Sequence, residues 1–238
     1  MQTRITSTRT ARIILKPAVF GLSLWPAAPF ARDVWFGQLG PDPYRRAVVD
    51  SGDWALWFLV FTLALTPARR LTGWHWLNLF RRMLGLFAFF YASVHALVYV
   101  TFEPLAAVQL EGVGSAWVVV GEVIAQIGHE IADKPFIALG VIAVAALVPL
   151  ALTSSAAMIR RLGGRRWWRL HRLVFLAAGV SLLHHWWPLG GRFHADAFGL
   201  SLAILAIVRL AWWRRSARPL STSAAVRQHD AAHQPGSE

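Results

Sequence analysis

Three histidines in this chain, His95, His171 and His184, have the residue type and spacing to do chemistry. His95 lies inside the uncharged apolar stretch 83–102, and His184 lies in the apolar run that follows Arg172, thirteen residues after His171. An imidazole buried in hydrocarbon is costly to place and fills space poorly, so two of them on separate segments point to a ligand that needs both. The chemistry that asks for one neutral nitrogen from each side is axial ligation of a b-type haem iron. A single intramembrane histidine would more simply be a polar contact between helices.

Counting along the helices sorts the three. Arg82 and Arg166 stand at the same side of the third and fifth apolar segments. His95 is 13 residues past Arg82 and His184 is 18 past Arg166, about 20 and 27 Å of helix, whereas His171 is only 5 past Arg166, about 8 Å. His95 therefore pairs in depth with His184, and one haem between them, toward the outer half, is the expected geometry. The helix bearing His95 has Arg82 instead of an imidazole at the inner level. Arg82 is a poor iron ligand but a good partner for a propionate or phosphate. His171 is left as a ligand of a second haem, a propionate partner or a contact to another cofactor. Helical phase alone slightly favours His185 over His184 as the residue aligned with His171. His75, His129 and His194 read as surface or interfacial, and His229 and His233 as solvated.

The elements that must position these side chains are apolar segments at 13–30, 54–68, 83–102, 135–152, 168–187 and 195–213. A span needs about 20 apolar residues, which the third, fourth and sixth approach. The second is short and leans on snorkelling Arg69 and Arg70. The first contains Pro17, Pro26 and Pro29 and is expected to kink. It starts basic like a signal peptide, but no small-residue cleavage site followed by a polar mature domain appears after it. Of the 24 basic residues, 19 fall in residues 1–16, 69–82, 153–172 and the stretch from 209 onward, while 10 of the 12 acidic residues fall on the opposite side. This asymmetry predicts an all-α membrane bundle of six helices with both termini inside. The expected layout is a cytoplasmic N-terminus over 1–12, a membrane domain over 13–215 and a disordered cytoplasmic tail over 216–238. The outer loop 103–134 carries Val118, Val119, Val123, Ile127 and Ile131 at helical spacing, a candidate surface helix for docking a partner.

Composition agrees with a bilayer as solvent. The chain of 238 residues is 56% hydrophobic and 15% charged, with a mean hydropathy of +0.45. Its thirteen tryptophans include pairs at 167–168, 186–187 and 212–213, near the ends of apolar runs, where amphipathic rings mark the headgroup layer. The net charge of +12 is divided among alternate loops instead of forming one basic face, which argues against nucleic acid. Cysteine is absent, so disulfides, thiolate metal sites and cysteine-ligated clusters are excluded. No G-x-G-x-x-G follows a strand-like run, and the 23 residues after 215 are too few for a nucleotide domain. Electrons are therefore expected to come from another molecule, either membrane quinol or a separate reductase.

The segments Arg81-Arg82-Met83-Leu84-Gly85-Leu86 with Tyr91 and His95, and Trp168-Arg169-Leu170-His171-Arg172-Leu173-Val174-Phe175 with His184, resemble one family. It is that of the haem-binding membrane subunits of the bacterial methionine sulfoxide reductase system, within the ferric reductase-like transmembrane group. The Leu65-Thr66-Pro67 and Thr153-Ser154 steps look like the same family, and the resemblance covers about residues 50 to 190. It implies a b-type haem, an FMN, and electron delivery to a periplasmic molybdopterin enzyme that reduces methionine sulfoxide in proteins, with quinol or a cytosolic flavin reductase as the donor expected for a chain without a nucleotide domain. It implies that the family's essential histidines fall on His95, His171 and His184, so that His184 is chosen over His185. It also implies an inner-membrane location. The inner arginines Arg81, Arg82, Arg165 and Arg166 are candidates for the FMN phosphate, with topology-setting charge as the plainer role. Two other functions fit the sequence: a stand-alone ferric or quinone reductase of the same architecture, and a haem-free transporter or scaffold.

Overall fold

A computed structural model describes residues 11–36, 38, 40–111, 116–187 and 197–216. The described residues are helical, with no strand among them. The expected tail from 217 onward, residues 1–10 and the loop holding His194 lie outside them.

After a π-helical turn at Ala11–Leu15 come α1 (Lys16–Leu24), α2 (Ala27–Trp35), α3 (Pro43–Thr72) and a 3₁₀ turn at His75–Leu77. These are followed by α4 (Asn78–Glu111), α5 (Ala116–Asp133), α6 (Pro135–Leu152), α7 (Ala156–Leu162), α8 (Gly164–Leu170), α9 (Leu173–Trp186) and α10 (Ala197–Ser216). Three stretches, Pro43–Thr72, His75–Thr101 and Pro135–Leu152, are long and apolar enough to cross a membrane. A fourth candidate is the pair Arg12–Leu24 and Ala27–Asp33, bent by 44° at Pro26, as the prolines of the first segment lead one to expect. Helix α10 is apolar over Ala197–Trp212.

Local chemistry explains the boundaries. Asp42 caps α3 by accepting from the Arg45 backbone N–H at 2.9 Å, Pro43 fills the first turn, and Gly73, at φ 71°, ends the helix in the left-handed conformation. This cap lengthens the second span from the expected 54–68 to 30 residues. The third span likewise runs past 102 to Glu111. Ser155 caps α7 through the Met158 N–H, and Gly163, at φ 74°, separates α7 from α8.

The fifth segment departs from expectation. The single helix expected over 168–187 is two, because the α-helical ladder stops at Leu170 and resumes at Leu173. Trp167 donates its indole N–H to the Thr153 carbonyl at 3.0 Å, tying α8 to the end of α6. Its own carbonyl is engaged by both the backbone N–H and the Nδ1 of His171. The straight-helix count from His171 to His184 therefore does not hold.

Packing falls into two pairs. Helices α3 and α4 pack along each other, as do α6 and α9, with α10 leaning on α3 and α4 touching α6. The core between them holds Phe58, Leu59 and Leu63 of α3, Phe87 and Tyr91 of α4, Leu147 of α6 and Val174 of α9. Ala88 and Ala177 are fully buried, which lets the helices approach closely. Phe58 stacks on Tyr91 at 5.3 Å, and the Tyr91 hydroxyl donates to the Ser23 carbonyl at 2.9 Å, fastening α1 to the core.

Candidate functional site

The two helix pairs bring one histidine each to a common point. His95 of α4 and His184 of α9 lie with ring centroids 6.0 Å apart and planes at 85°. Their sequence separation is 89 residues, so the pairing is a product of the fold.

Each ring is held in the same way. The Nδ1 of His95 hydrogen-bonds the Val48 carbonyl on α3 at 2.8 Å, and the Nδ1 of His184 hydrogen-bonds the Phe136 carbonyl on α6 at 2.7 Å. A backbone carbonyl only accepts, so Nδ1 carries the proton in both and Nε2 keeps its lone pair for a ligand. Four residues beyond each carbonyl stands a glycine, Gly52 on α3 and Gly140 on α6. A Cβ on Gly52 would stand 2.9 Å from His95 Nδ1, and one on Gly140 would stand 2.9 Å from His184 Cε1. Glycine inside a helix costs about 0.5–1 kcal/mol relative to alanine. Here the missing side chain is what lets each imidazole lie against the helix and reach the carbonyl one turn back. The motif of carbonyl, glycine at i+4 and histidine of the packed neighbour thus occurs twice, once in each helix pair.

The arrangement suits a metal whose other ligands are not protein groups. No set of three or more His, Cys, Asp or Glu side chains able to hold a bare ion exists among the described residues. Two in-line metal–imidazole bonds of about 2 Å, plus two ring radii of about 1 Å, separate ring centroids by about 6 Å. The observed 6.0 Å matches that spacing. A macrocycle that fills the equatorial positions and leaves two axial ones fits this donor set.

The other sequence-derived candidates lie elsewhere. His185 faces away from the pair, with Nδ1 3.9 Å from the Asp53 carboxylate on α3 and its ring edge on Phe198 of α10 at 5.1 Å. Of the two adjacent histidines, it is His184 whose ring meets that of His95. His171 is half-buried at the break between α8 and α9, stacked on Trp167 with centroids 3.9 Å apart. Arg82 is exposed and sits 13 residues from His95, about 20 Å along α4, so it is not brought to the histidine pair. Its neighbour Arg81 is the one within electrostatic reach of His171. His75 and His129 are exposed. Glu130 hydrogen-bonds the Tyr99 hydroxyl and pairs with Lys134, tying α5 to α4.

Sequence reasoning missed Gly52, Gly140 and the carbonyls of Val48 and Phe136. The available signal was a glycine inside each of two otherwise apolar helical stretches, which calls for a close approach.

Comparison with known proteins bears on this geometry. The pattern of the family described as ferric reductase like transmembrane component matches residues 51–182. The chain is 37% identical over 209 residues to the "Protein-methionine-sulfoxide reductase heme-binding subunit MsrQ" of Herminiimonas arsenicoxydans, covering 86% of this chain and 88% of that protein. It is 38% identical to the protein of the same name from Polaromonas naphthalenivorans, over 90% of this chain and 92% of the relative. For the one from Deinococcus radiodurans the identity is 36%, over 82% and 87%. No solved structure gives a significant match.

Proposed function

This chain belongs to the ferric reductase like transmembrane family, and we propose that it works as a multi-pass membrane cytochrome b relaying electrons to a methionine sulfoxide reductase. The single observation that carries the reading is the His95–His184 pair, each ring held by a backbone carbonyl beside a glycine.

In this proposal Nε2 of His95 and Nε2 of His184 would hold the iron of a b-type haem, which when bound would supply one-electron transfer. The Val48 and Phe136 carbonyls keep each ring in the Nδ1–H tautomer and raise the basicity of the opposite nitrogen. Both rings are half-buried where α3, α4, α6 and α9 come together. The chain spans the bacterial inner membrane six times with both termini inside, following the distribution of its basic residues. Quinol or a cytosolic flavin reductase is the donor, FMN a further cofactor near the inner face, and a periplasmic molybdopterin methionine sulfoxide reductase the acceptor. His171 and Arg82 serve the inner side. The names of the relatives support the reductase system, and the family match supports the membrane cytochrome class.

The test uses vesicles of known orientation in which the protein has been reduced. Adding a periplasmic methionine sulfoxide reductase to the outer face should speed reoxidation and drive turnover of oxidised methionine. Equal reoxidation with and without that partner would favour a ferric or quinone reductase acting on small acceptors.

A further inference from the structure

Between the end of α6 and the start of α9 the chain folds into a small platform. Helices α7 and α8 have seven residues each, about 11 Å of length, and pack on each other across Gly163. Ser155 caps α7, and the Trp167 indole, bonded to the Thr153 carbonyl at 3.0 Å, holds α8 against the end of α6. Helix α6 is one of those long and apolar enough to cross a membrane. Tethered to its end and running on into α9 after two residues, the platform stays at the bilayer surface.

Two kinds of side chain are uncovered there. Arg160 and Arg161 of α7, Arg165, Arg166 and Arg169 of α8, and Arg172 before α9 are all exposed. Leu152 and Trp168 are exposed as well, at 71% and 61%, and the Arg172 guanidinium lies 5.5 Å above the Trp168 ring. This mixture suits the membrane interface. Tryptophan settles at headgroup depth, and arginine runs its stem along the apolar boundary with its guanidinium among the phosphates. The chain itself supplies no counter-charge nearby in sequence, since residues 134–195 contain no Asp or Glu. Among the described residues none of the six arginines forms an ion pair.

We infer that the α7–α8 platform is an anchoring surface for anionic phospholipid headgroups, seated on these six arginines. Guanidinium forks match phosphate oxygens, and basic clusters beside a membrane span gain from the negative surface of an anionic leaflet. A lipid is favoured over a soluble partner because the arginines share their surface with Trp168 and Leu152, and because headgroups already lie against the end of α6. The inference rests on the chain being a multi-pass membrane protein, and is independent of the haem and of the electron route.

The experiment uses the full-length purified protein, with its visible spectrum recorded on every sample, so that a failure of the haem reading is seen separately. Delipidated protein in neutral detergent is titrated with phosphatidylglycerol and with phosphatidylcholine, and bound lipids are counted by native mass spectrometry. Hydrogen exchange over residues 153–172 is then compared in nanodiscs of each lipid. Phosphatidylglycerol should bind preferentially, the preference should shrink as salt rises, and exchange over 153–172 should be slower in the phosphatidylglycerol discs. Arg165→Gln should lower the preference about fivefold and Arg165→Gln with Arg166→Gln about 25-fold, whereas Arg165→Lys with Arg166→Lys should keep most of it. If the double glutamine variant does not fold, the salt dependence and the nanodisc exchange of the wild type decide the matter. Equal binding and equal exchange with the two lipids, or a preference that the double glutamine variant retains in full, overturns the proposal. So does protection of 153–172 that appears only on adding FMN or an acidic soluble donor protein, alike in both discs, which would assign the surface to that ligand.

Discussion

Replacing Gly140 with alanine tests how the histidine pair is held, because two opposing effects of the same methyl group can be measured apart. The new Cβ would stand 2.9 Å from His184 Cε1 and 3.1 Å from its Nδ1. Relaxed contact begins at about 3.5 Å, so the ring must withdraw by about 0.6 Å. A shift of that size stretches the 2.7 Å bond to the Phe136 carbonyl to the limit of useful geometry, about 3.2 Å. Losing the partner that orients a metal-binding histidine lowers metal affinity about 10–100-fold, or about 1.4–2.7 kcal/mol. The same substitution favours the helix itself by about 0.5–1 kcal/mol. Haemin titration of the apoprotein should therefore show Gly140→Ala binding about 10–100-fold more weakly, while thermal unfolding of the apoprotein shows no loss of stability. Gly52→Ala should behave alike through His95. Gly85→Ala is the control, since its Cβ would meet Thr62 Cγ2 at an ordinary 3.6 Å. Wild-type haem affinity in both Gly52→Ala and Gly140→Ala would refute the reasoning.

The remaining expectations concern the supports around the pair. Tyr91→Phe deletes the buried hydroxyl bond to Ser23 and should cost about 1 kcal/mol, seen as a Tm about 2–4 °C lower in detergent with haem binding unchanged. Trp167→Phe removes the indole bond to Thr153 and should raise hydrogen exchange across α8 and His171 while sparing the spectrum of the His95–His184 site. Glu130→Gln weakens the link of α5 to Tyr99 and Lys134, so any slowing of electron delivery to a periplasmic partner should persist at high salt. A steering role for Glu130 would instead make the defect fade with salt.

Much of the bundle could be read from the chain because burying charge and polar groups in an apolar setting is costly. That cost marked the third and fourth apolar runs as long helices and singled out His95 and His184. The same reasoning fell short where a polar start belongs to a long helix. The Asp42–Pro43 cap of α3 carries a recognisable signature, but Asp50 and Asp53 masked it as a loop. The break at His171–Arg172 was hidden because nothing in the local pattern, free of Pro or Gly, marks it; the tether from Trp167 to Thr153 is a tertiary contact. Gly52 and Gly140 are interior glycines whose purpose depends on which histidine packs against them, and only the fold supplies that partner. Arg209 read as a topology-setting charge, yet it hydrogen-bonds a carbonyl that Pro67 opened 146 positions away in sequence.

The central claim is that His95 and His184 hold a b-type haem between two helix pairs, and the visible spectrum of the purified protein tests it most directly. Protein from haem-replete cells, reduced with dithionite, should give the sharp bands of low-spin bis-imidazole iron, released as free haem by acid extraction because no C-x-x-C-H exists to attach it. His95→Ala and His184→Ala should each abolish those bands or greatly reduce them, and His185→Ala, His75→Ala and His129→Ala should retain them. A colourless wild-type protein, or a full spectrum in the His95→Ala and His184→Ala variants, would contradict the account.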